Sequence, residues 1–336
     1  MILSDNEEIP ALLDRALAAR EELFDARHEA AFRLFNGFTE GWPGLAVDLY
    51  AATVVLHNYS DPPEEGASIV DAAREFFQSR LPWVRAMVLK TRSGSNAQDR
   101  QGSLVYGASA ANRVREHGVW YAIDLFMNRD ASLYLDTRNL RAWALRNLAG
   151  KTVLNAFAYT GSLGVAARAS GAARVLQFDR SRLFLNVAKT SYTLNGFPID
   201  RKDFQTGDFW PHMNRLKRAG ERFDCVFLDP PFFAATQKGV IDLEKNHTRL
   251  INKVRPLIND GGHLVAINNA LFLSGSDYLK ELDSLCADGY LSIEELVAVP
   301  PDFTGYPQTL VAGPIIDPAP FNHSTKIAVL RVRRKS

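Results

Sequence analysis

With 336 residues, 46% hydrophobic and 23% charged side chains and a net charge of +1, the chain has the composition of a globular protein with room for about two domains. No run of about 18 apolar residues occurs, so no membrane span is expected, and the near-zero net charge announces no polyanion partner by itself. The acidic start "MILSDNEEIP" has no signal-peptide pattern, and the two cysteines and seven histidines show no disulfide or metal-ligand spacing, so a reducing cytoplasm and no metal are expected.

In chain order, a helical apolar period over Ile9–Glu22 places Leu12, Leu13, Ala16 and Leu17 on one face. Four short strands follow in "GLAVDLY", "TVVLHNY", "AMVLKT" and "SLVYG", and a helix, "ASIVDAAREFFQSRL", interrupts them. These elements predict a small α+β domain over residues 1–118. Its segment from Arg80 to Arg115 also carries Arg85, Lys90, Arg92, Arg100 and Arg113, with Asp99 as its acid. Such a patch suits phosphates as well as it suits a plain solvated surface, and the tail "RVRRKS" reads as a solubility feature.

After "VWYAIDLF" strands and helices alternate: "KTVLNAFA" and "LGVAARAS", "ARVLQFD" and "RLFLNVAKTSYTLN", "FDCVFLD" and "IDLEKNHTRLINKVRPLI", "GGHLVAINN" and "GSDYLKELDSLCADG". That alternation predicts an α/β domain over residues 119–336 with a parallel sheet. The last two strands, "LSIEELVAVP" and "TKIAVLRVR", are joined by a Pro- and Gly-rich connection without a helix, so they are expected to pair antiparallel.

Ligands of such sheets bind at the carboxyl ends of the strands. The first end is "LNAFAYTGSLG", where Gly161 and Gly164 would let backbone approach a ligand. Asp179 in "VLQFDRS" suits ribose hydroxyls, and Asp208 with Phe209 in "QTGDFW" suits an adenine amino group and ring. A dinucleotide would require G-x-G-x-x-G, but the first of these positions is Tyr159. S-adenosylmethionine carries no phosphate and accepts a looser loop containing Tyr159 and Thr160, so it is the favoured ligand.

The fourth end is "FDCVFLDPPFF". Asp229 closes a buried strand, Pro230 and Pro231 turn the backbone, and Phe232 and Phe233 follow as rings able to stack on a flat base. An acid at a rigid kink beside an aromatic platform can orient a nucleophile against an activated methyl group and accept a hydrogen from it. Each motif alone also reads as ordinary strand-end or core structure; their succession over several strand ends points to a site.

"LYLDTR", "NAFAYTGS", "FDRS", "LDPPFF" and "GGHLVAINN", together with "NGFTEGWPGLAVDLY" upstream, resemble the bacterial 23S ribosomal RNA methyltransferases of the large-subunit cytosine-C5 and guanine-N7 types. The resemblance covers the chain from about residue 30. It implies a Rossmann-like class I methyltransferase fold, mostly parallel with one antiparallel strand, and S-adenosyl-L-methionine as cofactor. It also implies that Tyr134, Asp136 and Arg138 lie in the segment closing over the cofactor, and that Asn155, Phe157, Tyr159, Thr160 and Gly161 form its first loop. Asp179, with Arg180 and Ser181, would then hold the ribose, Asp208 and Phe209 the adenine, and Asp229 to Phe233 would face the base.

Two departures shape the expected function. Cytosine-C5 members usually begin with a PUA domain, for which there is no room ahead of the resemblance; RNA docking would then fall on the 80–115 patch and its domain. The C5 members also attack cytosine with a cysteine after the "GG" strand, where this sequence reads "INN" with Asn269 at the position. Asn268 and Asn269 are instead close to the "SNN" of the guanine-N7 members and can read a purine edge. The expected activity is methylation of a base nitrogen, guanine N7, in large-subunit ribosomal RNA or an assembly intermediate. Cytosine-C5 methylation, an N-methyltransferase for a DNA or protein amine, a non-enzymatic RNA-binding factor and a dehydrogenase are the alternatives. The helix-rich end of the chain is compatible with a homodimer.

Overall fold

Leu12, Leu13 and Ala16, at most 6% exposed, form the packing face of helix α1 (Asp5–Ala19) and anchor the first of two units in the computed structural model. The structure describes residues 5–94, 96–236 and 239–334. After α1 come β1 (Ala31–Asn36), α2 (Gly37–Glu40), β2 (Leu45–Tyr50), β3 (Thr53–Asn58), α3 (Ala67–Arg80), β4 (Ala86–Thr91), α4 (Ala97–Gln101) and β5 (Ser103–Tyr106). They build a five-stranded sheet in the order β1-β2-β3-β4-β5. Only β3 and β4 pair in parallel, and α3 supplies the crossover that this requires. β2 and β3 are buried along their whole length, which is why both read as near-continuous apolar runs. β1 escaped the sequence reading because "AFRLFN", buried at five of its six positions, does not alternate.

The expected boundary at residue 118 is corrected by the structure: the first unit extends to Leu135 and takes in Pro300–Pro314. "VWYA" is the second strand of a hairpin, β6 (Arg113–Glu116) with β7 (Val119–Ala122). Hydrogen bonds from Arg115 N to Glu29 O and from the Tyr50 hydroxyl to Leu133 O tie this segment to the small sheet. The distant 300–314 segment joins it through Asp302, whose carboxylate accepts from Arg33 N at 2.9 Å and whose carbonyl accepts from the buried guanidinium of Arg20 at 3.0 Å. The connection expected to be plain loop therefore contributes to another unit's core.

The second unit holds α5 (Arg138–Asn147), β8 (Thr152–Ala156), α6 (Ser162–Ala169), β9 (Arg174–Asp179), α7 (Arg182–Leu194), β10 (Phe204–Thr206), α8 (Phe209–Arg218) and β11 (Phe223–Leu228). The hairpin β12 (Phe233–Thr236) and β13 (Gly239–Asp242) comes next, followed by α9 (Leu243–Val254), β14 (Ile258–Asn268), α10 (Gly275–Cys286) and β15 (Leu291–Leu296). The short α11 (Pro301–Thr304) belongs to the first unit, and β16 (Lys326–Val332) completes the second. The sheet order is β10-β9-β8-β11-β14-β16-β15. Every pair but those of β16 is parallel, and β16 runs antiparallel to β14 and β15, as the sequence pattern requires.

The chain steps outward from β8 to β9 and β10, then returns to add β11 on the other side of β8. The loops after β8 and β11 therefore flank the switch point, where open α/β sheets bind their ligands. Leu154, Leu176, Val226, Leu264 and Leu330, all 0% exposed, form the core beneath that edge. No helix among the described residues is long and apolar enough to cross a membrane.

Candidate active site

The loop leaving β8 is strained in a regular way. Phe157, Tyr159 and Gly161 all have positive φ, at 59°, 51° and 79°. Two of them are aromatic residues for which this region is unfavourable, so surrounding contacts must hold it. Asp179 at the tip of β9 is one such contact: its Oδ2 accepts from Tyr159 N at 2.8 Å and its Oδ1 from Ser181 N at 2.7 Å. Burial pushes the Asp179 carboxyl above its ordinary value, and the amides of Ser181, Tyr159 and Arg180 pull the other way. Ser181 caps α7, Arg180 is exposed and Thr160 is 4% exposed.

Gln177, a polar residue inside an apolar strand and missed by the sequence reading, holds the same loop from below. Its Oε1 accepts from Asn155 Nδ2 at 2.8 Å and its Nε2 donates to Gly161 O at 3.2 Å. A Cβ on Gly164 would stand 2.1 Å from the Gln177 amide, so this glycine makes room for Gln177 rather than for a ligand. The Oδ1 of Asn155 is buried without a partner among the described residues.

Asp208 caps α8, with Oδ1 accepting from Trp210 N at 3.2 Å. The structure corrects the expectation for Phe209: it is 2% exposed and stacks on Phe157 with ring centroids 4.6 Å apart, so its face is taken by the protein. Tyr134 lies in the first unit, where its hydroxyl donates to Asp130. Asp136 and Arg138 lie in the second, Arg138 opening α5 and Asp136 accepting from the Thr325 hydroxyl at 2.9 Å.

At the end of β11, Asp229 accepts no hydrogen bond among the described residues. Burial first, and the like charge of Asp136 second, push its carboxyl up to about 7. Pro230 is buried, whereas Phe232 and Phe233 are 45% and 60% exposed. The kink does not leave all its carbonyls free, because Phe232 O accepts from Leu243 N at 3.1 Å, closing the β12–β13 hairpin. The two rings are thus presented by a hairpin rather than packed in the core.

The two asparagines after β14 separate. Asn268, 0% exposed, accepts from Ala270 N at 2.9 Å and points its amide at Leu243 O at 3.5 Å, which corrects its expected role as a reader of a base edge. Asn269 is exposed. Behind them Lys326, also 0% exposed, donates to Ala270 O at 3.0 Å and Ser324 O at 2.5 Å. Phe272, 76% exposed three positions after Asn269, is a further ring that the motif reading overlooked.

Neither cysteine meets this edge. Cys225 is 0% exposed inside β11, and burial pushes its thiol far up. Cys286 ends α10, the helix that returns from the carboxyl end of β14, and burial raises its thiol as well.

A sequence model of a family described as S-adenosylmethionine-dependent methyltransferase matches residues 32–312. Ribosomal RNA large subunit methyltransferase I of Shewanella frigidimarina is 30% identical over 290 residues, 84% of this chain and 71% of that protein. Ribosomal RNA large subunit methyltransferase K/L of Colwellia psychrerythraea is 29% identical over 281 residues, 78% of this chain but only 38% of that protein. Among solved structures, SMU.776 complexed with SAH has a TM-score of 0.84 at 22% identity, over 99% of this chain and 83% of that one, a likeness of fold.

Proposed function

The chain belongs to the S-adenosylmethionine-dependent methyltransferase family, and we propose that it methylates large-subunit ribosomal RNA at a base nitrogen, guanine N7. The names of the relatives support ribosomal RNA as the substrate. The observation that carries the choice of nitrogen is that neither thiol can serve as a nucleophile: Cys225 is sealed inside β11 and Cys286 ends a helix at the opposite edge. C5 of cytosine needs a nucleophile added to the ring first. Guanine N7 has its own lone pair and needs only orientation.

S-adenosylmethionine, when bound, supplies a methyl group already activated for in-line displacement. The strand tips suit it. Asp179 accepts from the backbone amides of Tyr159, Arg180 and Ser181 and keeps its remaining acceptor capacity for a ribose diol. Asn155 keeps a buried acceptor, and the strained loop at Phe157–Gly161 is fixed before any ligand arrives. Phe232 and Phe233 offer faces for an extruded base, and Asn269 offers an amide for its Hoogsteen edge. Asp229 in its protonated form donates to a carbonyl such as O6, which lies beside N7.

A second reading follows from Asp229 itself. A carboxyl at about 7 with no donor engaged among the described residues is also placed to take a proton from an exocyclic amine. The test is incubation with radiolabelled S-adenosylmethionine and unmodified ribosomal RNA, then digestion to nucleosides. Labelled 7-methylguanosine is expected; a labelled exocyclic amine would transfer the weight to the second reading, and 5-methylcytidine would overturn both.

A further inference from the structure

We infer that a cavity of about 620 Å³ in the first unit, lined by Arg27, Arg85 and Arg113, binds the phosphate backbone of the RNA substrate. The inference rests on the RNA reading above. The volume lies within the range of roughly 300–1,000 Å³ typical of pockets that enclose a ligand. None of the residues lining the cavity is Asp or Glu.

Most basic residues of the 80–115 run are already engaged. Arg80 pairs with Asp14, Arg92 with Asp130 at 3.2 Å and Arg115 with Glu29 at 3.7 Å. Lys90 is 0% exposed and donates to Gln101 O and Asn128 O, while Arg100 donates to Gly94 O. Arg85 and Arg113 remain, and both line the cavity. The third guanidinium, on Arg27, comes from a segment outside that run. Among the described residues none of these three is in an ion pair.

The cavity is built rather than incidental. His28, at φ 54°, stacks its ring on Trp83 at 3.9 Å and 6°, which makes an aromatic wall and pins the turn bearing Arg27. The nearby acid, Asp25, forms no ion pair with Arg27 among the described residues; its carboxylate accepts from the backbone amides of Arg27, Glu29 and Ala30. Arg113 rests on the Trp120 ring, 4.7 Å from its centroid. On the far wall Ala111 N donates to the Thr53 hydroxyl at 2.8 Å, ordering the segment that presents Asn112.

Three arginines in the lining of one concavity that contains no Asp or Glu raise the positive potential there. Their planar forks match phosphate oxygens, and the Trp83–His28 wall and the Asn112 amide suit a nucleoside more than an acidic peptide.

The test compares binding of protein-free large-subunit ribosomal RNA by the full chain and by the triple variant Arg27→Ala/Arg85→Ala/Arg113→Ala, across about 50–200 mM salt. The slope of log affinity against log salt should fall by about 2, roughly 0.7 for each phosphate that the variant no longer neutralises, and KM for RNA should rise. The corresponding triple Lys variant should keep the slope, and Arg92→Ala/Arg100→Ala should leave it near wild type. An unchanged slope and KM in a triple Ala variant that melts like wild type overturns the cavity while leaving the RNA reading intact. A wild type that neither binds nor labels RNA overturns both. Loss of poly-glutamate binding with RNA binding retained would reassign the cavity to an acidic protein partner.

Discussion

The backbone amide of Tyr159 donates to Oδ2 of Asp179 at 2.8 Å, so the acid at the tip of β9 holds the strained loop that leaves β8. Asp179→Ala removes an acceptor from the backbone amides of Tyr159, Arg180 and Ser181 as well as a hydrogen-bond partner for a ribose. Cofactor affinity should drop by about 1–3 kcal/mol, read by calorimetry with S-adenosylmethionine. Asp179→Asn, which keeps one carbonyl acceptor, should lose less. Unchanged affinity in both would remove Asp179 from cofactor binding.

Asp229 gives a pH test of the target atom. Burial and the Asp136 charge raise its carboxyl to about 7, so the protonated form predominates below that pH and the carboxylate above it. Deprotonating an exocyclic amine needs the carboxylate, and the single-turnover rate should then rise about tenfold per unit up to pH 7. Transfer to guanine N7 should show no such rise. Asp136→Asn removes the like charge and should move any Asp229 inflection to lower pH; an inflection that stays put would sever the coupling between the two.

Cys225→Ala and Cys286→Ser should both retain methyl transfer. The first should cost about 1 kcal/mol of stability, since it removes a small buried group from β11. Loss of transfer in a variant that still binds cofactor would restore covalent catalysis and with it the cytosine reading.

Gly164→Ala should reverse the usual helix trend. Within a helix the change normally stabilises by about 1 kcal/mol, but here the new Cβ would meet the Gln177 amide at 2.1 Å. Destabilisation of about 1–3 kcal/mol is expected in denaturant unfolding. Adding Gln177→Ala should recover part of it, and a strictly additive double variant would refute the overlap.

In the first unit, Arg20 and Glu40 form a two-bonded pair at 2.9 Å with exposures of 0% and 1%. Glu40→Ala strands a buried guanidinium and should destabilise by about 3–5 kcal/mol. Replacing both by apolar residues of similar volume should cost less, with thermal melting as the readout.

The elements that read correctly from sequence share one property. The alternation of "VLNAFA", "VLQFD", "FDCVFLD" and "GGHLVAINN" with amphipathic helices is local, since a strand covered on both faces must be apolar along its length and a helix must repeat its apolar face every turn. The parallel sheet, its antiparallel β16 and the acids at its strand tips were therefore legible.

Tertiary structure decided what each polar side chain does there. Asn268 and Asn269 are identical letters, yet one is buried under Leu243 and the other exposed, because successive side chains at a strand end point to opposite sides. Gly164 resembled a ligand loop until the Gln177 amide filled its place. The basic run from Arg80 to Arg115 looked like one patch, but Asp14, Glu29 and Asp130 pair with three of its arginines, while Arg85 and Arg113 line a cavity together with Arg27. Asp302 joins Arg33 in the first unit from 269 positions away in the chain. Local periodicity encodes which residues must leave water; which partners they find depends on segments far apart in sequence, and only the folded chain brings those together.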